Sequence, residues 1–589
     1  MDPQAEYTAR RDRFRSEEIL FEKSFVRIGN WRLVLGIAAA VLAWFVFATK
    51  AITPWSMLIP LAAFVGLVIR HQQVTRQRAR ATRAADYYQR GLLRLQDKWV
   101  GNGLTGERHR NPAHPYADDL DVFGKGSLFE LLAITRTTPG EDLLASWLLR
   151  PASRAEVFER QQAVAELRPN LGLREDIALL SEDVRPDIEV KALGAWGTAP
   201  VTKFPAFLRP LSFVLALTGL AGIVGVFGHF LPLWPLLMVL LCDFSLIFAL
   251  RSKVNHVLEN VESSGRDIKI FSALTGYIER QNFSSPRLSE LVAALQTSGP
   301  PASRRIFQLG RLVDWLDSSD HMLIRILRSL VLWREQLAIS FENWRRGSGQ
   351  YIGSWVDAVA EFEALSSLAA LAYERPDWTA PALLESPVAQ FEALEMRHPL
   401  LPAADCVPND LTLDDTQRLL IVSGSNMSGK STLLRAVGLN CVLAWAGAPV
   451  AAGSLSLSCL QIGASIRIND SLQDHRSRFY AEISRIRQIV DLTKEGRAVL
   501  FLIDELLSGT NSHDRRIGAA AIVRELMHSN AIGLITTHDL ALAHIEQDLT
   551  AAIANVHFED QMNGTQMLFD YKLKPGVVTR SNAIELMRA

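Results

Sequence analysis

Residues 424–432 read Gly-Ser-Asn-Met-Ser-Gly-Lys-Ser-Thr and follow the apolar run Leu419-Leu420-Ile421-Val422. This fits the pattern G-x-x-x-x-G-K-[S/T] in a strand-loop-helix context, which commits the surrounding chain to an α/β layout. The glycines allow backbone N–H groups to converge on an anion, and the helix that follows offers its N-terminus to the same charge. A second segment, Ala498-Val-Leu-Phe-Leu-Ile503, reads as a buried strand and ends in Asp504-Glu505. A phosphate-cradling loop followed by an acidic strand is the pairing needed to hold a nucleoside triphosphate with Mg²⁺ and hydrolyse it. In that chemistry Lys430 reaches the β- and γ-phosphates. Ser431 and Asp504 serve the metal, and Glu505 polarises the attacking water.

The rest of the chain has a different character. It has 589 residues, enough for three or four domains, and 48% of them are hydrophobic. Much of the apolar excess is concentrated. Leu33–Thr49 and Ala51–Ile69 carry no charge, and Lys50 and Pro54 mark the turn between them. A further uncharged run extends from Leu211 to Cys242 and resumes beyond Asp243, broken at Gly228-His-Phe-Leu-Pro232. A 17-residue helix spans roughly 26 Å, enough for a hydrocarbon core. Two transmembrane hairpins are therefore expected, at about 33–49 with 53–69 and about 211–228 with 232–250. Arginines and lysines flank their outer ends (Arg27, Arg32, Arg70, Arg76, Arg209, Arg251, Lys253) while the turns are short. By the positive-inside rule both termini and all long segments lie in the cytoplasm of a protein of the plasma (inner) membrane. Asp243 within this setting reads as an interfacial residue near the cytoplasmic end, or as a functional intramembrane acid. A cleaved signal peptide fits poorly, because the apolar stretch starts late and a second follows it.

The net charge of −1 excludes a global basic field for nucleic acid, and four scattered cysteines without a C-x-x-C pair form neither a disulfide framework nor a zinc site. Residues 101–126, opening Gly-Asn-Gly-Leu-Thr-Gly, read as a linker. From Ser127 the pattern is helical. Long helices are expected over 251–298 and 303–346, with Ile306, Leu309, Leu312, Val313, Leu316, Ile324, Leu327, Leu330 and Val331 forming one stripe. From about 390 short β-like runs alternate with helices.

Several of these stretches resemble the MutS family of mismatch-repair ATPases, within the ABC-like superfamily. Ser127-Leu-Phe-Glu-Leu-Leu-Ala-Ile-Thr-Arg-Thr-Thr-Pro-Gly140, with the continuation through Arg150-Pro151 to Val164, is similar to the opening of the family's core domain. Leu365-Ser-Ser-Leu-Ala369 and Arg375-Pro376 are similar to its end. Arg397-His-Pro399 and Val407-Pro-Asn-Asp410 resemble the start of the ATPase domain, Asn426-Met427 the family's form of the phosphate loop, and Thr536-Thr-His-Asp539 its histidine switch. Tyr571-Lys-Leu-Lys-Pro-Gly576 resembles its closing strand.

The resemblance implies a phosphate loop made by Gly424, Ser425, Asn426, Met427, Ser428, Gly429, Lys430, Ser431 and Thr432, with Val407 and Asn409 beside adenine. It implies that His538 senses the γ-phosphate or positions water, and that Ser477 is a signature-loop serine reaching the triphosphate of the opposite subunit. A homodimer follows, with ATP and Mg²⁺ as cofactors and DNA as a partner beside the lipid bilayer. The expected fold is an α/β P-loop (ABC-like) ATPase domain at the C-terminus, after an all-α MutS-like core and lever carrying two transmembrane helical hairpins. The expected boundaries are 1–100 for the first hairpin region, 101–126 for the linker, 127–390 for the core and 391–589 for the ATPase domain.

Departures from the family also shape the expectation. The mismatch-reading domain has no counterpart here, a hairpin takes its place, no nuclease module is expected after Ala589, and Leu507-Ser-Gly509 stands where mismatch-repair members have Gly-Arg-Gly. The expected function is a membrane-anchored ATPase that opens and closes a dimer, acting on DNA. A transport-related ABC motor and an ATP-gated tether are the alternatives. The first is disfavoured because Leu507-Ser-Gly-Thr510 follows the acidic strand, where an ABC signature would precede it.

Overall fold

The computed structural model describes all residues except 1, 50–52, 181–189, 260–264, 297–298, 319–331, 426–427, 468–477, 508–511, 539–551, 564–565 and 578–589. Helices dominate the first two thirds. α1 (Pro3–Phe47) and α2 (Leu58–Leu95) pack along one another as a hairpin. The helical body then runs through α3 (Leu128–Leu132), α4 (Thr138–Leu149), α5 (Arg154–Leu167), α6 (Leu171–Leu180) and α7 (Val190–Thr198). A second hairpin follows, α8 (Leu208–Phe227) and α9 (Leu233–Glu259). After it come α10 (Gly265–Ile278), α11 (Pro286–Leu295), α12 (Ala302–Ser318), α13 (Trp333–Ser348) and α14 (Ile352–Glu374).

Local chemistry sets these helix starts. Ser127 Oγ accepts from the Glu130 amide at 3.2 Å, and Thr137 Oγ1 accepts from Gly140 at 3.1 Å. Ser153 and Glu156 form a reciprocal capping box. The long helices expected over 251–298 and 303–346 are instead cut into shorter ones. Pro286 opens α11 at a position where its missing N–H costs nothing, and Gly299-Pro300-Pro301 precedes α12. Of the expected stripe, Ile306, Leu309, Val313 and Leu316 are buried and Leu312 packs against them, while Ile324, Leu327, Leu330 and Val331 lie outside the described residues.

Among the described residues, four helices, within Pro3–Phe47, Pro54–Leu95, Leu208–Phe227 and Leu233–Leu258, are long and apolar enough to cross a membrane. Their apolar windows are largely exposed, with Trp44, Trp55, Phe213, Phe227 and Trp234 turned outward. Asp243 on α9 is buried. The charged ends of the first hairpin clamp onto the helical body. Arg94 forks onto Glu374 (Nε–Oε2 2.7 Å, Nη2–Oε1 2.5 Å), and the Tyr88 hydroxyl donates to Glu175 at 2.5 Å.

Residues 101–126 are irregular but do not behave as a free linker. Tyr116, Ala117, Leu120, Val122 and Phe123 are buried in the main core. Burying that apolar surface offsets the entropy of ordering the turns.

The C-terminal third holds two sheets. β1 (Ala382–Leu383), β2 (Phe391–Met396), β3 (Asn409–Leu413) and β5 (Ser454–Leu457) form one, in the order β1-β5-β2-β3. The other contains β4 (Leu419–Ser423), β6 (Leu460–Ser465), β7 (Ala498–Ile503), β8 (Ala531–Thr537), β9 (Ile553–Asn563) and β10 (Gln566–Pro575), in the order β10-β9-β4-β8-β7-β6. Strands β6, β7, β8, β4 and β9 are parallel, and β10 returns antiparallel. Every residue of β4, β7 and β8 is buried, as expected of central parallel strands covered on both faces. The covering helices are α15 (Lys430–Ala446), α16 (Arg478–Thr493) and α17 (Ser512–His528).

Candidate functional site

Register brings the motifs together. Ser423 on β4 lies opposite Thr537 on β8, and Ile503 on β7 lies opposite Ile535. The phosphate-type loop, Asp504-Glu505 and His538 therefore leave the sheet along one edge, at the carboxyl ends of its strands, where ligands of open α/β sheets bind. Gly429 takes a left-handed φ of 103° before α15, and a Cβ there would lie 3.2 Å from the Tyr571 ring. The φ favours glycine at this position, and the ring would have to shift to admit a larger residue.

Lys430 is buried under the loop. Its Nζ donates to the Gly424 carbonyl at 2.9 Å and the Ser425 carbonyl at 2.7 Å. Burial lowers its pKa, opposed by Glu505 and Asp504. Ser431 Oγ donates to Asp504 Oδ2 at 2.5 Å, so a hydroxyl and a carboxylate oxygen converge at one point. Such oxygen donors suit a hard divalent cation. Asp504 is further held through Oδ1 by the Thr536 hydroxyl, which in turn accepts from the Glu505 amide at 2.9 Å. Glu505 adopts a left-handed φ of 53°. Its Oε1 lies 3.6 Å from His538 Nδ1, a half-exposed ring.

A cleft of about 730 Å³ opens beside these groups and is lined by Lys430, Ser431 and Glu505 together with Val407, Asn409 and Tyr571. Asn409 is braced there. Its Nδ2 donates to the Tyr571 carbonyl at 2.9 Å, and its Oδ1 accepts from the Leu573 amide at 2.7 Å. His398 also lines the cleft, and burial followed by Arg435 pushes its pKa down to about 4, so the ring is neutral at physiological pH.

The structure thus gathers Gly424, Ser425, Ser428, Gly429, Lys430, Ser431, Thr432, Asp504, Glu505, His538, Val407 and Asn409 around one edge of the sheet. Asn426, Met427 and Ser477 lie outside the described residues. Motif reading gave no role to Thr536, His398 or Tyr571, although each sits in a quoted motif. Their part depends on strand register and on a long-range approach, which spacing does not encode. Glu482, on α16, is a fourth. It is fully buried and accepts from the Leu507 amide at 2.5 Å, tying α16 to the turn after the acidic pair.

A glycine loop between a buried parallel strand and a helix, faced by a carboxylate pair on a nearby strand, defines a P-loop α/β domain of the ATPase type. Residues 420–589 match the family model for MutS domain V, and residues 114–192 that for MutS domain III. The chain is similar to the DNA mismatch repair protein MutS of Lawsonia intracellularis, 32% identical over 242 residues, covering 39% of this chain and 26% of that protein. It is also 32% identical over 220 residues to the DNA mismatch repair protein MutS of Oleidesulfovibrio alaskensis, covering 36% of this chain and 24% of that one. It therefore spans about a quarter of the length of these curated relatives. These matches mark residues 114–192 and 420–589 as MutS-family domains III and V.

Proposed function

We propose that this chain is a membrane-anchored MutS-like ATPase that hydrolyses ATP to open and close a homodimer and acts on DNA. The observation that carries the ATPase reading is the convergence of Ser431 and Asp504 beside a buried Lys430 and a pinned Glu505. Lys430 neutralises the β- and γ-phosphates, and the loop amides at the start of α15 bind the remaining charge. Ser431 and Asp504 would hold Mg²⁺, which would supply further neutralisation of the phosphate oxygens. Glu505 orients and polarises the attacking water, and His538, next to it, positions that water or reads the γ-phosphate. Val407, Asn409 and Tyr571 accept the adenine end. Ser477 reaches the triphosphate of the opposite subunit, which makes each site incomplete alone. The DNA reading rests on the likeness to the two DNA mismatch repair proteins.

Exposed aromatic and aliphatic side chains on four long helices support the membrane reading, because water would oppose so large an apolar surface. The expected topology puts the Gly228–Leu231 turn outside the cytoplasm. A cysteine introduced at His229, with Cys242 replaced by Ser, is expected to react with an impermeant maleimide in intact cells, whereas one at Arg90 is not. The reverse pattern would refute the orientation.

The chemistry is tested by phosphate release from the full chain in nanodiscs, across matched, mismatched, branched and single-stranded DNA. Lys430→Ala and Glu505→Gln are expected to abolish turnover, Glu505→Gln with ATP binding retained. Wild-type turnover in either variant would overturn the roles. Turnover and ATP affinity indifferent to every DNA in the panel would remove DNA from the proposal.

A further inference from the structure

Residues 23–85 contain no aspartate or glutamate, although the whole chain is nearly neutral at −1. The cations of this stretch gather where the first hairpin leaves its two uncharged runs. Contacts across the hairpin fix their level. The Phe25 and His71 rings lie 4.5 Å apart, Arg78 pairs with Glu22 at 2.5 Å, and Arg32 lies over the Phe64 ring at 5.5 Å. Lys23 and Arg27 on α1 therefore stand at the level of Arg70 and Arg76 on α2, in one band across the base of the hairpin.

The band is not neutralised from within. Lys23, Arg27, Arg70 and Arg76 are all exposed. Arg70 donates to Gln73, an uncharged partner, at 3.2 Å, and among the described residues no carboxylate pairs with any of the four. The nearest acids are engaged. Glu22 holds Arg78, Asp176 holds Arg80 at 2.9 Å, and Glu17 holds Arg13 at 3.0 Å. Arg78, Arg80 and Arg83 have partners of their own and add nothing to the surplus. Glu18 accepts from the Thr82 hydroxyl at 2.8 Å, and setting its charge against the four still leaves an excess of cations. Trp31, exposed where the uncharged run of α1 begins, is placed as an indole at a hydrocarbon–water boundary would be.

We infer that this band binds the headgroups of acidic phospholipids of the phosphatidylglycerol type in the cytoplasmic leaflet, an inference that rests on the membrane reading of the hairpins. Arg70 directly follows Ile69, the last residue of its uncharged run. Arg27 and Arg76 lie about 10 Å from the ends of the runs and Lys23 about 15 Å, at 1.5 Å per residue. Such distances are comparable to the screening length of about 8 Å at physiological ionic strength, so an anionic leaflet acts on these cations directly. Guanidinium forks suit the free oxygens of a phosphodiester. DNA is the poorer occupant, because a duplex held in the band would bring its own phosphates against the same leaflet. Lipid bound here fixes the depth of α1 and α2. It thereby sets where the helical body sits above the membrane, since Tyr88 and Arg94 tie the far end of α2 to that body.

The test uses the full chain. Membranes carrying it are first washed with alkaline carbonate, and a chain that washes off overturns the membrane reading and the inference with it. A chain that stays is placed in nanodiscs of equal phosphatidylcholine and phosphatidylglycerol and released into mild detergent, and its retained lipids are counted by native mass spectrometry. Phosphatidylglycerol is expected in at least about fivefold excess, the preference that one cation near an anionic surface supplies. Arg27→Gln with Arg76→Gln should bring the two lipids toward parity. Arg27→Lys with Arg76→Lys keeps the charge and should keep the excess. Parity in the wild-type chain, or an excess that the glutamines leave unchanged, overturns the inference and leaves the membrane reading standing. Loss of duplex DNA binding in the glutamine variant, with the lipid excess intact, would assign the band to DNA and overturn it as well.

Discussion

Thr536→Val is the sharpest probe of the site, because valine keeps the shape of threonine and deletes only the hydroxyl. That hydroxyl is buried, donates to Asp504 Oδ1 and accepts from the Glu505 amide at 2.9 Å. Losing the bond to an ionised carboxylate costs about 1.5–3 kcal/mol, and leaving the Glu505 amide without its acceptor costs about 1–3 kcal/mol. The two share one atom, so about 3–5 kcal/mol is the expected loss of stability, a large part of a typical total. The effect on chemistry has a separate origin. Glu505 sits at φ 53°, a sparsely populated region for a non-glycine residue, and the Thr536 contact helps to keep it there. Once released, its carboxylate is no longer aimed, and a misplacement of about 1 Å costs up to about 100-fold. Steady-state phosphate release should therefore show kcat down about 10- to 100-fold, with KM for ATP nearly unchanged, because Lys430 and the loop are untouched. Thr536→Ser retains the hydroxyl and should restore most of the rate. A valine variant with kcat within twofold of wild type would refute the reasoning.

Asp119→Ala should cost about 2–5 kcal/mol, because Asp119 Oδ1 accepts from both the Ile466 and Arg467 amides at 2.7 Å and the residue is buried. In thermal melts of both variants Asp119→Asn, which keeps an acceptor, should cost much less, and equal losses would refute this account. Burial pushes Glu363 from 4.5 up to about 7 despite hydrogen bonds from Thr137, so the folded state holds this proton to higher pH than the unfolded chain does. Stability should therefore fall by about 3 kcal/mol as pH rises from about 4.5 to 7, and Glu363→Gln should flatten that slope in denaturant titrations. An unchanged slope would show that Glu363 does not set it.

What the chain discloses by itself is what is local in sequence. The loop at 424–432 and the pair Asp504-Glu505 are legible because their chemistry needs fixed spacing next to an apolar strand. Thr536 escapes that reading, since its contact with Asp504 exists only through the β7–β8 register. The same limit explains residues 101–126. Glycine, asparagine and proline there do encode turns, but Leu120 is set by a distant partner, Gly438 on α15, where any Cβ would lie 2.6 Å from it. The small sheet β1-β5-β2-β3 was hidden for a related reason. Its strands have two to six residues and pair out of order, so no alternating pattern grows long enough to be seen.

These long-range contacts give the protein a continuous mechanical connection from the first hairpin to the phosphate loop. Arg94 on α2 grips Glu374 at the end of α14, and α14 packs on α4 and α5. Arg160 on α5 lies over the Trp147 ring of α4 at 4.0 Å and donates to the Trp445 carbonyl at 3.2 Å. Trp445 closes the last turn of α15, and Lys430 opens its first. The two ends of that one buried helix are thus held by different parts of the molecule, the loop at one and the helical body at the other. A close-packed interior transmits displacement more readily than it absorbs it. Any movement of α15 would therefore have to be met by the Arg160–Trp445 contact, and through α14 by the pair that anchors α2. The first hairpin is tied to the phosphate loop by helices in contact, which is what the proposed ATP-driven machine at a membrane face would require.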